Sequence, residues 1–399
     1  MAEVNRLIVD TATPPIPEAQ GWLAGYSGAY GPSVNLSQAV PGDPPPQSFF
    51  DRLSAAAALP EAAKYGDIFG DRGLRDAFAE DVNTLYGARI SANETAITAG
   101  CNQAFFVSVM AVAKAGDAVL LPVPWYFNHK MTLDMLGIEA RPLPLSAEEG
   151  FLPDAAQTAE LVDGKVKAIV LVTPNNPTGA VYPDATLQAF RELCEARGIW
   201  LIVDETYRDF LPEGGKAPHS LFSAPAWQEA VISLYSFSKA YAIPGHRVGA
   251  IVASSDFVRE AGKILDCVQI SPPRVPQLAL PWAIRELKNW REETRATILE
   301  RIEAFRAALQ PFPEWRIDQI GAYFAYLRPP FREVAARDVA AALARETGVL
   351  TLPGSYFGPG QENHLRVAFA NVDAETLSGL GERFAAAGAL SIPANIASK

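Results

Sequence analysis

The segment VISLYSFSKAYAIPGHRVG, residues 231–249, contains the residues best suited to covalent chemistry. Lys239 follows a buried-strand pattern, has Ser236 and Ser238 beside it, and is followed by Arg247 eight residues later. A lysine in such a place can be kept partly desolvated, which favours its neutral, nucleophilic amine. Forked guanidinium donors and serine hydroxyls suit a phosphate dianion. The segment therefore predicts a reactive amine beside an anion site.

The segment WLIVDETY ends a strongly apolar strand with Asp204 and places Tyr207 three residues later. A carboxylate there needs a partner. It could cap a helix or form a structural ion pair. It could also be the counter-charge that keeps a pyridine nitrogen protonated, while the Tyr207 hydroxyl binds the phenolic oxygen of the same ring.

Two further strand ends carry polar or glycine residues. TPNNPTG follows the apolar run AIVLV, and although it would mark a turn by itself, the Asn176 amide is a neutral donor for the same phenolic oxygen. In TAGCNQAFF, Gly100 separates a strand from a helix start, which presents free backbone N–H groups to an anion. Ligands of open α/β sheets collect at the carboxyl ends of strands, so these residues are expected to converge.

Apolar runs alternate with helical patterns from about residue 95 onward. The runs are TAITAG, AVLLPV, AIVLV, WLIVDE, VISLYS and VGAIVAS, and helices are expected at 103–114 and 184–197. This alternation is typical of a mostly parallel sheet covered by helices, which is an α/β fold. A segment at 277–309 looks helical, with Pro281 expected to kink it or mark its first turn.

Length and composition describe a folded protein of more than one domain. The chain has 399 residues, a length that exceeds the usual size of one hydrophobic core. Its residues are 49% hydrophobic and 20% charged, as in a folded protein. A net charge of -11 favours neither nucleic acid nor an anionic membrane as a partner. The three cysteines lack metal-ligand spacing and are expected to be reduced, and no run is long enough to span a membrane, so we expect a cytoplasmic protein without a metal.

Five motifs in order, Gly100, NNPTG, DETY, SFSKAYAIPGHRVG and HLRVAFA, resemble the class I and II aminotransferases, which are fold-type I pyridoxal-phosphate enzymes. The resemblance covers nearly the whole chain. It implies an aspartate aminotransferase-like α/β fold, with a mostly parallel sheet in a three-layer large domain and a smaller α+β domain. We expect an N-terminal arm at 1–45 that packs with the small domain, the large cofactor-binding domain at 46–285 and the small domain at 286–399.

The resemblance also implies roles for single residues. Lys239 would carry pyridoxal 5′-phosphate as a Schiff base and move the substrate α-proton, Asp204 would pair with the pyridine nitrogen, and Asn176 and Tyr207 would bind the phenolic oxygen. The phosphate would be bound by Ser236, Ser238, Arg247 and the backbone of Gly100, Cys101 and Asn102. Cys101 and Asn102 depart from the residues often seen there, which leaves their side-chain roles open.

Two further segments resemble cofactor contacts of the family. In PVPWYFNHK, Tyr126 is expected to stack on the cofactor, with Trp125 as its competitor, and His129 is expected behind Asp204. KYGDIFGDRGLR places Tyr65 where the family has a tyrosine that reaches the phosphate of the partner subunit. Tyr65 would then require a homodimer with shared active sites, whereas the ordinary alternative is a loop aromatic.

The substrate is expected to contact residues far apart in the sequence. Arg366 in HLRVAFA matches the arginine that binds the substrate α-carboxylate, for which its planar fork is suited. Ala39 and Asn176 would also contact the substrate, and Tyr323 and Tyr356 are lid contacts or core aromatics. With no second arginine placed for a distal carboxylate, neutral or aromatic donors are favoured, unless Arg274 binds an acidic side chain.

The expected function is transamination in two half-reactions. An amino acid leaves its amine on the enzyme, and a 2-oxo acid then takes it away by a ping-pong mechanism. A lyase, decarboxylase or synthase of the same fold can share these motifs and stays an alternative. A non-catalytic regulator would need an appended DNA-binding module, for which the sequence shows no basic helix pattern.

Overall fold

The computed structural model describes residues 2–331 and 333–387. Over these residues the strands are β1 Val34–Asn35, β2 Thr95–Thr98, β3 Ala118–Val123, β4 Glu139–Pro144, β5 Val166–Val172, β6 Trp200–Asp204, β7 Val231–Ser236, β8 Gly249–Val252, β9 Arg316–Gly321, β10 Phe324–Arg328, β11 Val349–Leu350, β12 Leu352–Pro353 and β13 Leu365–Ala368.

The helices are α1 Arg6–Asp10, α2 Pro15–Gly21, α3 Gln47–Ala57, α4 Arg72–Tyr86, α5 Cys101–Val112, α6 Phe127–Leu136, α7 Ala155–Ala159, α8 Asp184–Arg197, α9 Phe237–Ala240, α10 Ser255–Gln269, α11 Arg274–Glu286, α12 Lys288–Leu309, α13 Ala336–Ala342, α14 Ala374–Ser378 and α15 Leu380–Ala386. A π-helical turn, Leu343–Thr347, continues α13.

The main sheet has the strand order β2-β8-β7-β6-β5-β3-β4 in the described part of the chain. Strands β7, β6, β5, β3 and β4 run parallel, whereas β8 is antiparallel to both β7 and β2. The predicted mostly parallel α/β sheet is therefore confirmed. The parallel strands place their carboxyl ends along one edge, where the residues singled out by the sequence lie.

Both faces of this sheet are buried. Along β5, Ile169 and Leu171 belong to one apolar cluster, together with residues of α3, α4, α8 and α11, whereas Ala168 and Val170 belong to another that includes residues of α5 and α10. The alternation follows from the two-residue period of a strand. It explains why this strand is a continuous apolar run instead of an alternating one.

The region beyond α11 builds a second sheet and a separate core. Strands β12, β13, β10 and β9 form an antiparallel sheet, which packs with α12 and α15 in a cluster containing Phe305, Phe369 and Phe384. The N-terminal strand β1 pairs with β11 of this region. The domain boundaries at 45/46 and 285/286 stay a prediction.

Of the two expectations for Pro281, a place in the first turn of a helix is wrong, and a kink there stays a prediction. Pro281 lies inside α11, and the helical run is interrupted at Leu287, where ψ is 22°. The two helices serve different cores, because Ala283 packs with the main sheet and Ile298 packs with the second sheet. The interruption lets each helix turn its apolar side to its own core.

Strand β4, EARPLP, is an edge strand that the apolar pattern did not reveal. It pairs in parallel with β3 and contains Pro142 and Pro144. Only Leu143 of this strand is fully buried. Proline is tolerated at a sheet edge because no further strand needs its missing N–H.

No helix within 2–331 and 333–387 has the length and apolar character needed to cross a membrane.

Candidate active site

A cavity of about 280 Å³ opens at the carboxyl ends of β5, β6 and β7. Twelve of the residues predicted for the site line it: Ala39, Cys101, Asn102, Tyr126, Asn176, Asp204, Tyr207, Ser236, Ser238, Lys239, Arg247 and Arg366. The sequence reasoning did not find the other lining residues, which are Ile16, Gln38, Val40, Phe127, Val172, Thr206 and Pro244.

Lys239 is held in a weakly solvated place at the start of the chain segment that follows β7. Its Nζ donates a hydrogen bond to the carbonyl oxygen of Ala39, 2.6 Å away. Burial lowers the pKa of Lys239 from 10.5 to about 8, and the positive charges of Arg247 and Arg366 lower it further in the same direction. The neutral amine is therefore far more accessible near neutral pH than that of a solvated lysine.

Asp204, the last residue of β6, is buried and held by donors from three residues. Its Oδ1 accepts bonds from Thr206 Oγ1 at 2.7 Å, from Thr206 N at 3.0 Å and from Cys101 Sγ at 3.6 Å. His129 Nε2 lies 3.3 Å from its Oδ2. Burial alone would raise the pKa of Asp204, but the bonds from His129 and Thr206 outweigh burial, so the pKa is lowered and the carboxylate stays ionised.

Cys101 contributes to this carboxylate through its thiol. Burial and the nearby Asp204 charge raise the pKa of Cys101 well above its usual value, so the sulfur keeps its proton and can donate it to Asp204. Thr206, by contrast, was not predicted. The only local signal for it was a hydroxyl residue two positions after an aspartate, which is a common turn pattern.

His129 does not line the cavity but lies behind Asp204, where the family resemblance places it. Its ring stacks on Phe105 with centroids 3.9 Å apart and meets the ring of Tyr126 edge-on at 5.1 Å. These contacts hold the imidazole in one orientation. His129 is thereby aimed at the carboxylate that faces the cavity.

An anion-binding corner forms where α5 begins. Gly100 caps the helix with a φ of 88°, and a Cβ there would lie 2.9 Å from Cζ of Arg247. The first amides of α5 have no partner within the helix, so they can bind an anion together with the Arg247 guanidinium. Arg247 is exposed in the isolated chain and is held by a bond from its Nη1 to the Pro244 carbonyl, 3.0 Å long. The Ser236 and Ser238 side chains line the same cavity.

Tyr126, not Trp125, faces the cavity. Tyr126 lines it, and burial raises the pKa of its hydroxyl to about 12. Trp125 lines a different cavity, beside Met131 and Tyr356, with Lys130 Nζ 6.0 Å from its ring centroid. Of the two rings that the sequence left open, Tyr126 is therefore the one that lines the candidate site, and its stacking on the cofactor stays a prediction.

Arg366 on β13 reaches the cavity from the second sheet. Its Nη1 donates to Asn176 Oδ1 at 3.2 Å, and its Nη2 donates to the carbonyl oxygen of Ser37. Burial lowers its pKa to about 10, and its Nε is buried without a hydrogen-bond partner among the described residues. A buried guanidinium with an unused donor suits a carboxylate ligand.

Four other residues lie away from this cavity. Tyr65 is 76% exposed, and Arg274 pairs with Asp71, its Nε 3.1 Å from Oδ1. Tyr323 is fully buried among Tyr207 and Phe210, so of its two alternatives the structure supports core packing. Tyr356 lines the cavity behind Trp125 and does not line the candidate site.

The residues of the cavity fit pyridoxal 5′-phosphate. The start of α5 with Arg247, Ser236 and Ser238 supplies donors for a phosphate, and Asp204 supplies a fixed negative charge for a protonated ring nitrogen. Asn176 and Tyr207 line the same cavity with neutral polar groups, and Lys239 supplies the amine. When bound, the cofactor supplies an aldehyde that takes up amines and a ring that withdraws electrons.

Fold and site together define a class of protein, and comparison with known proteins agrees. The family described as "Aminotransferase class I and II" matches residues 32–384, so the chain belongs to this family. It is a pyridoxal-phosphate-dependent aminotransferase with the aspartate aminotransferase fold.

The chain is similar to several known aminotransferases. It is 30% identical to the arginine–pyruvate transaminase AruH of Pseudomonas aeruginosa over 309 residues, which are 76% of this chain and 77% of that protein. It is 28% identical to the aromatic aminotransferase ISS1 of Arabidopsis thaliana over 346 residues, 85% of each chain. The structure of Thermus thermophilus aspartate aminotransferase with maleate matches with a TM-score of 0.87 at 25% identity, over 97% of this chain and 100% of the other. Nothing in these comparisons favours a lyase, decarboxylase or synthase.

Proposed function

We propose that this aminotransferase takes a neutral or aromatic amino acid as its donor and passes the amine to a 2-oxo acid by a ping-pong mechanism. The observation that carries this proposal is the number of basic side chains in the cavity and the role of each. Among the described residues that line it, the basic side chains are Lys239, Arg247 and Arg366, and each already has a task. None is left for a second carboxylate on the substrate.

The part of the wall not needed by the cofactor is mainly apolar. Ile16, Val40 and Phe127 line the cavity, with Gln38 as the polar exception. Apolar side chains of a donor would gain free energy by covering these surfaces, whereas a charged side chain would lose hydration. Arg274 does not offset this, because two of its donors are bonded to Asp71 and to the Tyr65 carbonyl.

Arg366 is proposed to bind the substrate α-carboxylate. The guanidinium is buried, its pKa still leaves it charged at neutral pH, and its Nε has no partner in the part of the chain that the structure describes. Asn176, bonded to the same guanidinium, restricts where the carboxylate can sit. This anchoring orients the Cα–H bond of the donor relative to Lys239.

Lys239 is proposed to act as both nucleophile and base. A pKa of about 8 leaves a usable fraction of neutral amine at physiological pH. Its Nζ can accept the α-proton of the donor and hold it for return to the product. Asp204, ionised and held by His129 and Thr206, would keep the ring nitrogen of bound pyridoxal phosphate protonated. Tyr126 is proposed to stack on the ring.

A homodimer with shared sites is the proposed assembly. Tyr65 lies outside its own cavity and is 76% exposed, and Ile270 nearby in the fold is 43% exposed. Their segments are joined by a bond from Gly66 N to Ser271 Oγ, 3.1 Å long. A surface with such exposed apolar side chains is suited to a second copy of the chain. A cytoplasmic location is proposed with it, because the three cysteines are unpaired thiols.

The donor class is tested with the holoenzyme in single-turnover reactions without an oxo acid, following the visible absorption of the cofactor. Phenylalanine, leucine and methionine are expected to react at least about 10-fold faster per unit concentration than aspartate or arginine, since one well-matched apolar contact contributes about 1–3 kcal/mol. In Ile16→Ala, the single-turnover rate with leucine is expected to fall, whereas the rate with alanine is expected to stay unchanged. Aspartate or arginine reacting as fast as phenylalanine would refute the proposed donor class.

A further inference from the structure

Two glycines from distant parts of the sequence press their backbones together beside the site. Gly179 ends the NNPTG turn, and a Cβ built there would lie 2.6 Å from the Gly321 carbonyl oxygen and 2.8 Å from that of Phe324. A Cβ on Gly321 would overlap the Gly179 carbonyl oxygen and lie 3.3 Å from its carbon. The exclusion is reciprocal, so this contact exists only because both residues lack a side chain.

On one side of the contact is a turn that cannot easily deform. Gly179 N donates to the Asn175 carbonyl at 2.7 Å, and Asn175 N donates to the Ala180 carbonyl at 2.7 Å. The Asn175 side chain accepts from Thr178 Oγ1 at 2.8 Å and from Thr178 N at 3.1 Å. Asn176 is part of this same closed turn. Its position is therefore tied to that of Gly179.

On the other side is the hairpin that leads to Arg366. Gly321 is the last residue of β9 and pairs with Phe324 of β10. Strand β10 in turn pairs with β13, with Tyr326 opposite Arg366. Arg366 thus lies on β13, the strand that pairs directly with the hairpin that touches Gly179.

The hydrogen bond from Arg366 to Asn176, 3.2 Å long, joins the same two elements inside the cavity. We propose that the Gly179–Gly321 backbone contact is a positioning device, which sets the distance between Asn176 and Arg366 and thereby the site for the substrate α-carboxylate. This inference rests on the proposed role of Arg366. Cofactor binding is expected to depend on it little, because Asp204 ends β6, Lys239 lies in α9 after β7, Arg247 lies two residues before β8, and the closed turn keeps Asn176 in place.

The variant that tests this is Gly321→Ala. Gly321 has an ordinary φ, so alanine adds only the steric conflict with Gly179 and no backbone strain. Gly164→Ala is the matched control, because Gly164 also has an ordinary φ and no described atom lies within 4 Å of an added Cβ. Both holoenzymes are compared with wild type by KM, kcat, single-turnover rate and fluorescence titration of the cofactor.

The distinguishing measurement compares phenylalanine with 2-phenylethylamine, which lacks the α-carboxylate. In Gly321→Ala, the KM for phenylalanine is expected to rise by about 10- to 100-fold, since a shift near 1 Å can cost that much. The reaction with 2-phenylethylamine and the cofactor affinity are expected to change less than about twofold. Gly164→Ala is expected to match wild type in every measurement.

A second variant reaches the same turn without overpacking. Asn175→Ala removes the side chain that holds Thr178 in place, so it should loosen Asn176. Because Asn176 is also expected to contact the cofactor, a loss with both substrates is expected, but a larger one with phenylalanine than with 2-phenylethylamine. If Gly321→Ala does not fold, Asn175→Ala still decides. A loss shared equally by phenylalanine and the amine, or no loss at all, would overturn the proposal.

Arg366→Lys separates this inference from the proposed function. If Arg366→Lys does not impair the reaction with phenylalanine more than the reaction with 2-phenylethylamine, the assigned role of Arg366 is wrong. If it does weaken phenylalanine but Gly321→Ala does not, only the glycine contact is refuted. The double variant is expected to lose less than the product of the two single effects, because both act on one interaction.

Discussion

His129 Nε2 and Asp204 Oδ2 lie 3.3 Å apart, and both side chains are almost fully buried. The pairing matters because an ionised carboxylate in a buried place is costly unless donors surround it. Thr206 and Cys101 bond to the other oxygen, so His129 is the only donor described on Oδ2. The charge that faces the cavity therefore depends on a residue outside it.

Replacing His129 by leucine is expected to raise the pKa of Asp204 and weaken cofactor binding about 10- to 100-fold, since a bond to a charged group contributes about 1.5–3 kcal/mol. The measurements are cofactor titration of the apoenzyme and the visible spectrum against pH. His219→Leu is the control, because His219 Nε2 forms a comparably buried pair with Glu205 Oε1 at 3.1 Å, outside the cavity. The control should lose stability but keep its cofactor spectrum. Equal spectral changes in both variants would argue against a role for His129.

Gly100→Ala is expected to reduce cofactor affinity at least about 10-fold. Alanine there suffers the strain of φ 88° and also collides with Arg247 at the anion corner. Gly116→Ala is the matched control, because φ is 91° and nothing lies within 4 Å of its Cβ. It carries the strain without the collision. The comparison uses equilibrium titration with the cofactor and with inorganic phosphate. If both variants bind phosphate alike, the corner is not the phosphate site.

Much of the fold could be predicted from the sequence, because the strands are apolar runs that end in polar motifs. Helix α8 spans Asp184–Arg197 as expected, since Gly198 ends it in the left-handed conformation. Helix α5 begins at Cys101, two residues before its predicted start, because Gly100 is its N-cap. Edge strand β4 was missed because it needs only one buried side to be stable.

Long-range relationships were not readable. The contact of Gly179 with Gly321 joins residues far apart in the chain, and neither neighbourhood contains a local signal for it. The burial of Tyr323 also depends on which elements pack around its hairpin. Motifs that resemble a family carry such information only for the residues they contain. Ile16, on the apolar wall, lies outside every motif used, and Thr206 lies within DETY but was given no role there.

Tyr65 is expected to act in the site of the partner subunit, which mixing two inactive variants can show. Tyr65→Ala should lower activity about 10-fold or more, and Lys239→Ala should abolish it. In a mixed dimer, the Lys239→Ala subunit supplies Tyr65 to the partner, which still has Lys239, so one complete site forms. Activity is therefore expected to rise towards a quarter of wild type after subunits are exchanged at equal amounts. No gain on mixing, with exchange confirmed by mass spectrometry of tagged subunits, would place Tyr65 in its own site or in neither.

The lowered pKa of Lys239 has a consequence for the stability of the cofactor-free protein. In the folded state the amine has a pKa of about 8, whereas its ordinary value is 10.5, so between these values the unfolded chain binds more protons. Stability contributed by this group therefore rises with pH across that window and is lowest below about 8. With allowance for the partial exposure of Lys239, the change is roughly 2–3 kcal/mol.

Lys239→Met removes the titrating group while keeping a long side chain, so it isolates this effect from all other ionisations. Denaturant unfolding of both apoproteins is expected to show Lys239→Met more stable than wild type at pH 7, with the difference largely gone near pH 10.5. Lys167→Met, at a half-buried lysine of β5 whose Nζ donates to the Gly164 carbonyl, is the control for the removal of a lysine charge elsewhere on the same sheet. A difference that stays constant with pH would mean that the folded protein does not lower the pKa of Lys239, and the argument for a neutral amine near physiological pH would fail with it.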